Sequence, residues 1–124
     1  MLSLKNWINE MNKLLLASLL LLVGCSDNRT PEQIAEDMAA DLRVKRITAV
    51  QIQIESLLND PDSVQYNLKA VNLDNNALCY DYRAKNGFGG YVRNYIAVTD
   101  SGNVTDTKKQ FKQHCPDDAN YERY

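Results

Sequence analysis

The hydrophobic positions of this chain change period twice, and each change marks an element. Thr30-Pro31-Glu32-Gln33 opens the first one. Thr30 is a capping residue, Pro31 suits the first helical position, and Gln33 completes a capping box. Ile34, Met38 and Leu42 then recur at spacings of four. After Leu42 the phase shifts, and Ile47, Val50, Ile54 and Leu57/Leu58 form a second stripe. Val50 to Ile54 also alternates, which suits a strand, but the segment is long and stops at Asn59-Asp60-Pro61, which favours helix. Residues 31–58 are therefore expected to form one bent helix or two helices broken near 43–46. Asp60-Pro61-Asp62-Ser63 predicts a tight helical turn capped by Asp60.

Beyond it the period falls to two. Val64, Tyr66 and Leu68 alternate, followed by Val71 and Leu73, and Asn75-Asn76 signals a turn. Leu78 to Ala84 predicts a strand with Tyr80 and Tyr82 on one face and Cys79 and Asp81 on the other. Asn86-Gly87 supplies a positive-φ hairpin turn, and Tyr91 to Val98 is the next strand. A turn at Asp100–Asn103 leads to a short strand at 104–107. The tail through Lys108, Phe111 and Cys115 reads as irregular. The expected fold class is α+β: an N-terminal helical segment on a three- to four-stranded antiparallel meander.

Composition narrows what such a domain can do. The 124 residues carry 14 Lys+Arg, 16 Asp+Glu and one His. That length fits one small domain. The near-neutral, slightly acidic balance gives no support to nucleic-acid binding, which needs a basic face. A single His excludes multi-His metal sites. No nucleophile–base pair or opposed carboxylates are recognisable, so an enzyme is disfavoured. No cofactor is implied.

Leu14 to Gly24 is an apolar run too short to span a bilayer, with the length of a signal-peptide hydrophobic region behind Lys13. It ends in Leu22-Val23-Gly24-Cys25, which resembles the lipobox of bacterial lipoproteins. The resemblance implies cleavage before Cys25, a diacylglyceryl group on its thiol and an acylated new N-terminus. Several acyl chains hold a soluble domain firmly at a membrane where one holds it marginally. By the same resemblance, Ser26 directs the protein to the outer membrane, because Asp27 stands one place too late for inner-membrane retention. Met11-Asn12-Lys13 makes a better signal start than residues 1–10, so Met11 is expected to be the initiator. The organisation is then a removed signal at 1–24, a tether at 25–30 and one domain at 31–124. Loss of Lys5, Lys13 and Glu10 makes the mature chain one unit more negative.

With Cys25 lipidated, Cys79 and Cys115 remain. An even pair in an oxidising compartment reads as one disulfide. It would close a loop of about 37 residues and contribute roughly 3–4 kcal/mol. A free thiol and a metal ligand beside His114 are the alternatives, but two Cys and one His fall short of a four-ligand zinc site.

Two further stretches carry a resemblance. Leu57-Leu58-Asn59-Asp60-Pro61-Asp62-Ser63-Val64-Gln65-Tyr66 contains Asp-Pro-x-Ser. Cys79 is followed by Ala84-Lys85-Asn86-Gly87-Phe88-Gly89-Gly90-Tyr91. Both are similar, in this order, to a family of small exported bacterial and phage-associated proteins, many of them lipoproteins, without an established activity. In the Gly-rich loop, Lys85 and Asn86 offer hydrogen bonds and Phe88 and Tyr91 apolar contact, which suits partner recognition. The other reading is a hairpin whose aromatics fold back over the sheet. A phosphate cradle does not fit, since the glycines precede a strand. The tyrosines pair across strands, or form a binding surface if the sheet face opposite the helix is open. The expected function is a non-enzymatic, outer-membrane-anchored lipoprotein that binds an envelope protein through the sheet face and this loop. The alternatives are an immunity or inhibitor lipoprotein against a toxin, and a structural envelope component.

Overall fold

The computed structural model describes residues 28–124. The expected signal segment, Met11, Cys25 and Ser26 lie outside the described residues. The chain divides into two units, the first ending at Ile34 and the second running from Ala35 to Tyr124. In the first, the capping box forms: the Gln33 N–H donates to Thr30 Oγ1 at 3.2 Å, and the Thr30 N–H donates to Gln33 Oε1 at 2.9 Å.

Helix α1 spans Pro31–Ser56 as a single element of 26 residues, not two, and the alternating Val50–Ile54 stretch is helical within it. The phase shift after Leu42 is a change of face. At about 100° per residue, Met38 and Leu42 lie opposite Ile47, Val50 and Ile54. Ile47 and Ile54 are buried, whereas Met38, Leu42 and Ile52 are exposed. Arginines take over the inward face where the apolar residues leave it. Arg43 Nε donates to Glu122 at 2.6 Å and its Nη2 to Glu36 at 2.9 Å. Arg46 reaches the Asn76 carbonyl at 3.4 Å. Polar pegs fix α1 on the sheet: the Tyr80 hydroxyl donates to the Ile47 carbonyl at 2.6 Å, the Tyr66 hydroxyl to Glu55 at 3.0 Å, and Lys69 Nζ to Gln51 at 2.9 Å.

A 3-10 turn follows at Pro61–Ser63, and Asp60 makes no side-chain cap. Ser63 does the tying instead. Its hydroxyl donates to the Asp60 carbonyl at 2.7 Å and accepts from the Lys85 N–H at 2.8 Å. The strands are β1 (Gln65–Asn72), β2 (Ala77–Lys85), β3 (Tyr91–Val98) and β4 (Val104–Thr105). Asn76 takes a φ of 58° in the β1–β2 turn. With β5 at Tyr121–Arg123, the sheet has five strands rather than three or four, in the order β4-β3-β2-β1-β5, with every pairing antiparallel.

The tail departs from the irregular chain expected. Lys108–His114 is helix α2, whose cap is Thr107 Oγ1 accepting from the Gln110 N–H. Tyr121–Arg123 is β5, paired with Ala70–Asn72 of β1. The disulfide joins Cys79 and Cys115 with Cα atoms 6.0 Å apart. It staples the end of α2 to β2.

The sheet is therefore covered on both sides. Under α1 lie Ile47, Ile54, Val71, Leu78, Tyr80 and Tyr82. Phe111 of α2 and Cys115 at its end pack on Ala77, Cys79 and Ala97 of the sheet. This answers the open question about the tyrosines. Tyr80 and Tyr82 are core residues beneath α1, and Tyr95 packs on Phe111 with ring centroids 5.3 Å apart. Of the strand tyrosines, Tyr91 at the hairpin end stays half-exposed.

Candidate binding site

The β2–β3 hairpin pairs from Leu78 opposite Val98 to Lys85 opposite Tyr91. Its loop is built by Asn86. The Asn86 side-chain oxygen accepts from the N–H groups of Phe88 and Gly90, both at 3.0 Å. The left-handed residue is Gly89, at φ 80°, and not the Asn86-Gly87 pair. The four expected recognition residues thus separate. Asn86 spends its oxygen on the loop. Phe88 is 99% exposed and does not fold back. Tyr91 is half-exposed, with Arg83 at 5.4 Å and Lys85 at 5.8 Å over its ring.

Alternation gives the hairpin two unlike faces. On the α2 side stand Arg83, Lys85, Tyr91, Arg93 and Tyr95. Arg93 and Lys108 lie over the Tyr95 ring, at 5.2 and 5.8 Å. Asp81 is the acid within this row. It accepts from Arg93 through both oxygens, at 2.8 and 2.6 Å, and from Asn67 at 3.3 Å. Burial works to raise the Asp81 pKa, but the hydrogen bonds from Arg93 and Asn67 and the charge of Arg93 outweigh it, so the carboxyl is held below its ordinary range.

A folded pKa below the unfolded one fixes the sign of the pH effect. The pair's stabilisation is complete above the ordinary carboxylate pKa of about 4 and is lost as pH falls through the lower folded value. Asp81→Asn is expected to lower stability at pH 7 by about 1–2 kcal/mol. The gap to the parent chain should shrink on acidification. Denaturant midpoints of both chains at neutral and acid pH check this, and an unchanged gap would place the acid sensitivity elsewhere.

On the α1 side three even residues of β3, Asn94, Ile96 and Val98, face an apolar cleft of about 450 Å³. Val50 and Ile54 of α1, with Leu57 and Leu58 just beyond its end, form one wall, and Tyr82 and Val104 complete the lining. A second hollow of about 220 Å³ shares Leu57, Leu58 and Asn94 and runs on to Val92, Lys85 and Asn86. Leu57 is 86% exposed at the rim. The cleft and the Gly-rich loop are thus neighbours, joined by Lys85 and Asn86.

Asn94 links the cleft to a stretch of β3 whose outer edge is bare. β4 covers only Ala97 and Val98 of β3. The chain leaves the sheet after Thr105, and Thr107 turns it into α2. Among the described residues no strand pairs with the outer side of Tyr91–Tyr95. The Thr99 N–H points to that side, donating to the Asn103 carbonyl at 2.9 Å. By the two-residue alternation, the backbone groups of Tyr95, Arg93 and Tyr91 point the same way. Unpaired strand backbone beside apolar pockets is the ground plan of strand-addition binding.

His114 ends α2, and its carbonyl accepts from Asn72 and Asn75 at 2.8 and 2.9 Å. Among the described residues no group of three or more His, Cys, Asp or Glu is placed to hold a metal ion. No helix among them is long and apolar enough to cross a membrane.

No protein-family profile, curated protein or solved structure matches the chain. The site is therefore read from its own geometry. Sequence reasoning missed the edge and the cleft. Their signals were the alternation of Val92, Ile96 and Val98, and the Thr107-x-x-Gln110 cap that ends β4 early.

Proposed function

We propose that the chain is a lipid-anchored lipoprotein of the outer membrane, without catalytic activity, that holds an extended segment of an envelope protein against β3. One observation carries the binding half: the bare edge at Tyr91–Tyr95 carries Asn94, which lines the apolar cleft between α1 and β3, and Val92, which lines the adjoining hollow. A peptide docked there gains backbone hydrogen bonds from the edge and buries alternate side chains in the cleft. Phe88, Tyr91 and Lys85 at the hairpin tip extend the same contact surface. The anchoring half is supported by Leu22-Val23-Gly24-Cys25 and by the disulfide, a bond that persists in oxidising compartments.

Two readouts test the two halves. Metabolic labelling with a fatty-acid analogue should mark the parent protein in the membrane fraction and leave Cys25→Ala unlabelled. A photo-crosslinking residue at Val92 should yield an adduct joined through an extended stretch of the partner, and the same residue at Ile52 should not. Equal labelling of both chains would remove the anchor. Equal adducts at both positions would remove the edge as the binding site.

A further inference from the structure

We propose that the segment bound on the β3 edge alternates apolar and acidic residues. The inference rests on the strand-addition reading and specifies its ligand.

A strand added outside β3 must alternate its side chains between the two faces of the sheet. Positions level with Asn94 and Ile96 meet the apolar cleft, where a charge would be left without a partner, and the position level with Val92 meets the second hollow beside Leu57, Leu58 and Ala84. Positions level with Tyr91, Arg93 and Tyr95 emerge on the other face. There the cations are Arg83 and Lys85 over Tyr91, and Arg93 and Lys108 over Tyr95. Asp81 neutralises one of them, Arg93, from beneath, and its side chain is largely covered. The row thus presents an excess of positive charge at the edge of a protein that is acidic as a whole. Carboxylates on alternate residues match that row, and lysines in their place meet like charge. The same row disfavours a second copy of this chain as occupant, because two β3 edges joined about their middle would set one cationic row beside another.

The test uses the full chain in detergent micelles, isotopically labelled, and short blocked peptides. A peptide alternating Val and Glu should shift the backbone amides of residues 91–95 and bind at least about tenfold tighter than one alternating Val and Lys. A block-ordered peptide of the same composition, and a Val–Glu peptide N-methylated at alternate amides, should each lose binding. The Lys85→Glu/Lys108→Glu chain changes only side chains at the surface and should favour the Val–Lys peptide. If the Val–Glu and Val–Lys peptides bind alike at the edge, the charge rule is overturned and strand addition stands. If no peptide perturbs these amides, both readings fall. Phosphatidylglycerol vesicles that perturb them where the Val–Glu peptide does not would assign the row to lipid and overturn the proposal.

Discussion

Replacing Cys79 and Cys115 together by Ala is expected to cost about 3–4 kcal/mol, the loop-closure entropy of a span this long. For a domain of about 100 residues that is a fall in melting temperature of roughly 15–30 °C. The link joins α2 to β2 across the smaller of the two cores, where Phe111 and Ala97 pack beside the sulfurs. Loosening it should release α2 and the tail before α1. Thermal unfolding of the parent and double variant followed by circular dichroism measures the shift. Hydrogen exchange should show Lys108–His114 losing protection first. A melting temperature lowered by only a few degrees would mean that Phe111 and the strand pairing hold the tail unaided.

Ile47→Ala is the second large effect, expected at about 2–5 kcal/mol, because its side chain is buried among Val71, Leu78 and Tyr80 and cannot be replaced by water without a void. Met38→Ala on the outer face of the same helix should change stability by no more than about 0.5 kcal/mol. Urea midpoints of the two variants make the comparison direct. Similar losses from both would show that the outer stripe of α1 is covered in solution.

The contrast between those residues explains how much was legible. The two apolar stripes were visible as stripes. Their change of phase after Leu42 suits one bent helix or two helices broken near 43–46, and only the fold shows that Arg43 and Arg46 bridge the gap, with Glu122 and the Asn76 carbonyl as their partners. The β2–β3 hairpin was legible to the residue at Tyr91–Val98, since alternation and glycine punctuation are local signals. Phe88 and Tyr91 are exposed at the hairpin end and Lys85 is partly covered, whereas Asn86 turns to its own loop. The tail was illegible for the opposite reason. Tyr121-Glu122-Arg123 has no apolar alternation, and it is a strand because β1 offers an edge, with Leu73 donating to Asn120 and Tyr124 to Lys69. The cleft was invisible because it depends on where β4 stops, and that is set by the Thr107 cap.

The ion pair between Arg43 and Glu122 joins positions 79 apart in the chain. A nascent polypeptide emerging from its amino side cannot close that contact, or pair the outer side of β1, until Tyr121–Arg123 is free. A product stalled before Tyr121 would leave the Ala70–Asn72 edge of β1 adhesive toward its neighbours.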